Sequence, residues 1–266
     1  MAIYVFKVNN ISRNHTKTKT EKEKEKNGEI LPPKPPRSII AAAAYRAGEK
    51  LVDEVSGKVY DFRRKGGVYH SEIIAPDDAP FWCKDRLALW NVVEQFNCRQ
   101  NARFAKDIVI ALPRELSPET NLEVVRSFVK TEVVDRFNLV ADVCWHELES
   151  SHNPHVHILV PIREAKEDTF GDRRVDAIEA RKTVYNLRKA WAAHCNKHLA
   201  DAGIGERIDH RSLKEQGIDR EPTINIGRKA WQAEKQGVKT KLGDKLRYIQ
   251  RLNREREIAR EEYRDR

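Results

Sequence analysis

Long apolar runs are absent from this chain of 266 residues. No stretch approaches the roughly 18 apolar residues of a membrane-spanning helix, so we expect no membrane span. The first residues, MAIYVFKVNN, lack a basic segment followed by a long apolar one, which is the pattern of a secretory signal peptide. We therefore expect a protein of the cytoplasm.

Cysteine is scarce, and the spacing of the cysteines forms no recognisable paired motif. The chain has four cysteines, none in a Cys-x-x-Cys arrangement. Reduced thiols are therefore expected, and neither a disulfide framework nor a zinc finger is predicted.

Acidic residues are in the minority, and the excess of basic residues lies at the two ends. Residues 1–50 carry 11 basic and 5 acidic residues, and residues 228–266 carry 13 and 7. The middle of the chain carries 26 basic and 29 acidic residues. Basic ends indicate a polyanionic partner such as nucleic acid, although solvated tails would explain the same charge.

Short strand patterns alternate with amphipathic helical patterns through the middle of the chain. Several strands are close enough in sequence to form hairpins, one of them joining GKVYDF to GVYHSEII through RRKGG. We therefore predict an α+β fold, with a central antiparallel sheet of about five strands and helices packed on its faces. Residues 14–36 alternate in charge and become rich in proline, which predicts a flexible surface loop. Residues 243–265 predict a charged helix.

Three histidines fall on one predicted strand hairpin. His155 and His157 are two residues apart, so a strand would present both imidazoles on one face. His146 lies near the end of the preceding strand, and antiparallel pairing would bring it beside them. Three protein ligands with open positions are typical of a catalytic metal site. Histidines that are incidental on a wet strand face are the alternative.

Five short motifs, in order over residues 1–218, resemble the MobA/MobL group of plasmid mobilisation relaxases. This group is similar to the MobQ type within the HUH (His–hydrophobe–His) endonucleases. Any one motif is weak evidence, but the ordered set is specific. The motifs are AAAAYRAGEKL (41–51), GGVYHSEIIAP (66–76), IALPREL (110–116), NPHVHILV (153–160) and IDHRSLKEQGI (208–218).

The resemblance implies an HUH-type palm and a nicking reaction at a plasmid origin of transfer. A tyrosine would attack the scissile phosphate, form a 5′-phosphotyrosyl link and leave a free 3′-OH. The family's tyrosine matches Tyr45, and its histidine triad matches His146, His155 and His157. A phenol with a pKa of about 10 needs activation at neutral pH, and an ion on three imidazoles would neutralise phosphate charge. A packing role on an alanine-rich helix is the alternative for Tyr45.

Two carboxylates are candidates to support this chemistry. Asp107 opens the strand DIVIALP, and Glu72 follows His70 in the motif HSE. Either could orient a histidine or accept the tyrosine proton, and either could equally be a surface acid at a strand end.

Basic residues near the predicted nucleophile are the candidates for phosphate contacts, since single strands bind in basic grooves. They are Arg46, Arg63, Arg64 and Lys65.

Imidazole ligands favour zinc, copper or nickel in affinity, whereas the resemblance implies Mg²⁺ or Mn²⁺. The implied partners are single-stranded DNA of the transfer origin, accessory relaxosome proteins and a conjugative secretion or coupling apparatus. The resemblance also implies a bacterial cytoplasm, with transport to a recipient cell together with the DNA. Residues 1–218 would form the relaxase domain, and residues 219–266 a basic, charged helical extension.

Two other functions fit part of the pattern. A rolling-circle replication initiator or transposase of the HUH type would place its tyrosine after the histidine pair, where Tyr185 is the nearby candidate. A non-enzymatic DNA-binding protein would bind without cleaving.

Overall fold

The computed structural model describes residues 4–14, 23, 26–30, 32, 34–149 and 153–264. The chain divides into two compact units, Met1–Ile208 and Asp209–Arg266, so the predicted domain boundary after residue 218 falls inside the second unit. Most of the predicted loop at 14–36 lies outside the described residues.

A five-stranded antiparallel sheet forms the centre of the first unit, which confirms the predicted fold class. The strands are β1 (Phe6–Ser12), β4 (Val68–Ile74), β5 (Arg103–Ala111), β6 (Ala141–His146) and β7 (His155–Pro161). Their order in the sheet is β1-β5-β7-β6-β4, so β1 and β4 are the edges. Fully buried β-branched residues on β5 and β7, such as Ile108 and Ile158, place these strands in the core.

Helices cover both faces of this sheet. On one face, α1 (Ile39–Ala47) and α2 (Arg86–Phe96) pack with Leu159 and Ala105. Helix α1 begins after Ser38, whose side chain accepts a hydrogen bond from the Ala41 N–H, and ends at Gly48 in the left-handed region. Two of its alanines, Ala43 and Ala44, are fully buried, so the helix packs closely.

On the other face, α3 (Pro118–Val129) and α4 (Arg181–Asp201) pack against Val143 and Ile158. Helix α3 continues into a π-helical stretch, Lys130–Asp135.

The predicted hairpin between GKVYDF and GVYHSEII is wrong. Strand β3 (Val59–Asp61) pairs instead with β2 (Lys50–Val52) in a separate two-stranded ribbon. Strand β4 pairs with β6 over six positions. This long pairing in the central sheet takes the place of the short hairpin that β4 would form with β3. A second ribbon joins β8 (Arg163–Ala165) to β9 (Phe170–Arg174).

The described residues of the second unit include the helices α5 (Gly227–Lys235) and α6 (Lys241–Arg264). Glu234 at the end of α5 accepts hydrogen bonds from Thr240 and Arg247, which fixes the turn between the helices. Helix α6 falls where the sequence predicts a charged helix. No helix in the described part of the chain combines the length and apolar character needed to cross a membrane.

Candidate functional site

The three histidines meet on one face of the sheet, as the sequence predicts. His146 on β6 lies directly opposite His155 on β7, and His157 follows two residues later on the same face. The ring centroids of the three imidazoles are 5.1–5.4 Å apart. One nitrogen of each ring lies within 4.8 Å of the corresponding nitrogens of the other two.

One nitrogen of each imidazole lies within hydrogen-bond distance of a protein oxygen. The Nδ1 atoms of His155 and His157 lie 2.7 Å from the Asn153 carbonyl oxygen and 3.0 Å from Asp107 Oδ1. The Nε2 atom of His146 lies 2.7 Å from the Arg46 carbonyl oxygen. An acceptor oxygen requires the proton on the nearby nitrogen, so the partners assign the tautomers. The lone pairs left available are on Nδ1 of His146 and on Nε2 of the other two.

Burial favours the neutral form, which binds metals, in two of the three imidazoles. It lowers the pKa of His146 to about 4 and also lowers the pKa of His155. Clustered ring nitrogens and an outer layer of hydrogen-bonded oxygens are the features of a histidine metal site. The triad therefore implies metal binding, and the donor set fits a divalent ion.

Asp107 is buried, only 5% exposed, and stays ionised beside the triad. Burial raises its pKa, but the hydrogen bond from His157 and the positive charge of Arg46 outweigh burial, so the pKa lies below its usual value. The carboxylate accepts from His157 through Oδ1 and from the Arg46 guanidinium through Oδ2, at 2.8 Å. Its position fits the predicted orienting role.

Arg46 connects the last turn of α1 to this cluster through hydrogen bonds. Its guanidinium donates to Asp107 and to the Ala42 carbonyl oxygen, and its own carbonyl accepts from His146. Sequence reasoning placed Arg46 among the DNA contacts and missed this anchoring role.

Tyr45 immediately precedes Arg46 and points to a different environment. Its side chain is 51% exposed. The ring meets Phe62 edge to face with centroids 5.3 Å apart, and Lys65 Nζ lies 4.3 Å from the ring centroid. Burial lowers the pKa of Lys65. The phenol is therefore accessible, yet held beside a cation and next to the residue that anchors His146.

The other predicted DNA contacts lie in the segment between β3 and β4. Arg63 is exposed and forms an ion pair with Asp61 at 2.6 Å, and Arg64 is exposed. Neither residue is brought into the histidine cluster by a hydrogen bond that the structure shows.

Glu72 does not join the triad. It lies opposite Val143 on β6, on the face covered by α3, whereas Cys144 and His146 share the other face. Its carboxylate accepts hydrogen bonds from Arg126 and contacts His70 at 3.2 Å. Tyr185 also belongs to this opposite side, on α4, and is 49% exposed.

Comparison with known protein families identifies the family of this chain. The model of the MobA/MobL family matches residues 37–236. The chain belongs to the MobA/MobL family. The resemblance seen in the five motifs is thereby confirmed.

Relatives of this MobA/MobL chain carry names from DNA transfer. The conjugal transfer protein TraA of Agrobacterium fabrum is 36% identical over an alignment that covers 77% of this chain and 22% of TraA. The mobilization protein MobL of Acidithiobacillus ferridurans is 34% identical over an alignment that covers 82% of this chain and 64% of MobL. The chain thus spans about a fifth of the length of TraA.

A solved structure shares the MobA/MobL chain's fold. It is described as "Molecular Basis of Vancomycin Resistance Transfer in Staphylococcus aureus", and it matches with a TM-score of 0.65 and 26% identity. The match covers 79% of this chain and all of the other.

Proposed function

We propose that this chain nicks and rejoins one strand of DNA at a plasmid origin of transfer, with Tyr45 as the nucleophile. The Tyr45 oxygen attacks phosphorus, the bond from phosphorus to the 3′ oxygen breaks, and the DNA stays linked through a 5′-phosphotyrosine. The phenol loses its proton as the new bond forms, and the departing oxygen gains one to become a 3′-OH. The reverse reaction restores the phosphodiester without an external energy source, because the link retains its bond energy.

His146, His155 and His157 would hold a divalent ion, with Mg²⁺ or Mn²⁺ as the candidates. Such an ion would supply positive charge to the non-bridging phosphate oxygens. Asp107 positions His157, and the Arg46 carbonyl positions His146. These two contacts and the one from His155 to the Asn153 carbonyl oxygen keep the three rings in one arrangement while the substrate binds and leaves.

Lys65 acts on the nucleophile in this proposal. Its ammonium, 4.3 Å from the centroid of the Tyr45 ring, stabilises negative charge that develops on the phenol. Arg63 and Arg64, exposed in the same segment, contact the DNA phosphates.

The observation that carries this proposal is the link between the triad and the nucleophile's helix. The hydrogen bond from His146 to the Arg46 carbonyl joins the three converging imidazoles to the residue directly after Tyr45. A packing tyrosine would not need to be half exposed at this point, as Tyr45 is.

The test compares Tyr45→Phe with Tyr185→Phe in a nicking assay with Mn²⁺. The two tyrosines are matched controls, because both lie on helices and are 51% and 49% exposed. Labelled single-stranded oligonucleotides that tile the DNA around the gene are incubated with protein and separated on a denaturing gel. We expect Tyr45→Phe to abolish the covalent adduct and Tyr185→Phe to retain it.

Mass spectrometry of the DNA-bearing peptide identifies the linked residue directly. An adduct on Tyr185 would refute the relaxase assignment and favour an initiator or transposase. Binding without any adduct, with either metal ion, would favour a non-enzymatic DNA-binding protein.

The partners follow from this activity. The DNA substrate would engage accessory relaxosome proteins and a conjugative coupling apparatus in a bacterial cytoplasm, and the linked protein would travel with the strand to a recipient cell.

A further inference from the structure

A second basic site lies at the end of the sheet away from the histidines. It is a cavity of about 720 Å³ at the end of α2 and the start of β5. Three arginines line it: Arg99, Arg103 and Arg163. Asn97 and Asn101 also line the cavity, and no acidic residue is among the described residues that line it.

The loop that forms one wall is fixed by hydrogen bonds to its backbone. Arg13 donates to the Asn97 carbonyl oxygen at 2.9 Å, and the Arg13 N–H donates to the Ala102 carbonyl oxygen at 2.9 Å. The Ala102 N–H closes a turn onto the Arg99 carbonyl oxygen. Arg13 itself forms an ion pair with buried Glu94 at 2.7 Å, so it supports the wall without adding charge to the cavity.

The opposite wall is formed by an arginine stacked on an aromatic ring. Arg163 Cζ lies 4.8 Å from the centroid of the Phe96 ring, and its Nη1 donates to the Gly171 carbonyl oxygen. This holds the guanidinium in place before a ligand arrives. Planar guanidinium groups match phosphate in two-point hydrogen bonds, so three arginines around one concave surface fit a chain of phosphates.

The cavity is remote from the histidine triad. His157 pairs with Val109 on β5, and Arg103 lies six residues earlier on that strand. At about 3.3 Å per residue the two positions are roughly 20 Å apart. A phosphate held in the cavity is therefore not the scissile one.

We propose that this cavity binds the phosphate backbone of the nucleic-acid strand at a distance from the cleaved bond. The choice of nucleic acid over a free phosphate compound rests on the proposed function, which supplies a long polyanion to the same molecule. The site thereby adds affinity and fixes the direction of the strand, while the triad and Tyr45 carry out the chemistry.

The first test measures the salt dependence of binding to a fluorescein-labelled single strand of 20 thymidines by anisotropy. Each lost phosphate contact lowers the slope of log affinity against log salt by about 0.7, which is about fivefold in affinity at 0.1 M salt. We expect this change for Arg99→Ala, with recovery in Arg99→Lys. The matched control is Arg136→Ala, since Arg136 is an exposed arginine that pairs with Glu132 outside the cavity.

The second test uses the exposed thiol of Cys98, which lines the cavity, whereas Cys83, Cys144 and Cys195 are buried. N-ethylmaleimide, which is uncharged, is reacted with the whole chain, and the rate of Cys98 modification is followed by peptide mass spectrometry. We expect the thymidine strand to slow this reaction at least severalfold, and much less in Arg99→Ala.

Unchanged salt slope for Arg99→Ala, or unchanged Cys98 reactivity with DNA bound, would overturn the inference. So would inorganic tripolyphosphate that protects Cys98 while the DNA strand does not, because this would assign the cavity to a free phosphate compound. Both tests read binding, so they remain valid in Tyr45→Phe. An absent adduct in the wild-type chain would count against the proposed function alone.

Discussion

Replacing Asp107 by asparagine should weaken metal binding at the triad more than any other change outside the three histidines. The Asp107 carboxylate accepts hydrogen bonds from His157 and Arg46, and only 5% of the residue is exposed. The amide of asparagine carries no charge and presents donors toward the Arg46 guanidinium. Its oxygen can serve only one of the two partners well.

The magnitude follows from these contacts. A hydrogen bond to a charged group contributes about 1.5–3 kcal/mol, so the free energy of unfolding should fall by about 2–3 kcal/mol. Loss of the partner that orients a metal-bound histidine costs about 10–100-fold in metal affinity. This equals about 1.4–2.7 kcal/mol of lost binding energy.

Isothermal titration with Mn²⁺ gives the affinity, and urea denaturation in EDTA gives the stability. Asp142→Asn is the matched control. Asp142 is fully buried and accepts from Arg86 and Trp90, but it has no hydrogen bond to the triad. We expect it to lose similar stability and to keep its metal affinity. Equal loss of Mn²⁺ affinity in both variants, or affinity within twofold of wild type in Asp107→Asn, would refute the orienting role.

Three further changes have defined outcomes. Burial lowers the pKa of His146 to about 4 from about 6.5, so the unfolded chain binds more protons between these pH values. In EDTA, the free energy of unfolding measured by urea denaturation should therefore fall as pH drops from 6.5 to 4. This fall should be about 2–3 kcal/mol larger in the wild-type chain than in His146→Gln. The same pH dependence in both proteins would contradict this. Gly67 has φ +83° and faces Glu147, whereas Gly66 has open space, so Gly67→Ala should lower stability by about 1 kcal/mol and Gly66→Ala should not. Lys65→Met removes the ammonium over the Tyr45 ring but keeps an apolar chain, and should slow adduct formation roughly fivefold; an unchanged rate at saturating DNA would exclude the proposed role on the phenol.

The convergence of the histidines could be predicted because it depends on local pairing. His146 and His155 belong to consecutive strands, and a short hairpin leaves few registers available. A His-x-His spacing then fixes the third ring on the same face by the two-residue period of a strand.

The position of Glu72 could not be predicted, because it depends on one irregularity in the ladder. The pairing runs from Val68 opposite His146 to His70 opposite Trp145, so a bulge shifts the register by one residue. Without that shift Glu72 would share the face of the histidines. With it, the carboxylate turns toward Arg126 on the other side. Sequence patterns give little sign of a bulge, and a single one reverses the assignment of every residue beyond it.

The contacts made by backbone oxygens also lie beyond sequence reasoning. The Arg46 and Asn153 carbonyl oxygens set the tautomers of His146 and His155, yet every residue carries a carbonyl, whatever its side chain. The same limit applies to the arginine cavity. Arg103 is on β5, Arg163 is on β8 just after β7, and Arg99 lies in the turn before β5. The pairing of β5 with β7 brings these positions, distant in sequence, to the same end of the sheet.

The hydrogen bond from His146 to the Arg46 carbonyl couples the stability of the last turn of α1 to any binding of a metal ion at the triad. If His146 held an ion through Nδ1, its proton would sit on Nε2, where the Arg46 carbonyl oxygen is the acceptor. Metal binding at the triad would therefore restrain the end of α1, and fraying of α1 would remove the acceptor that stabilises the tautomer able to bind an ion. By thermodynamic reciprocity, the amides that close this turn should exchange with solvent more slowly when Mn²⁺ is present. The backbone carbonyl of Arg46, the residue after the proposed nucleophile Tyr45, would thus link the helix to the state of the triad.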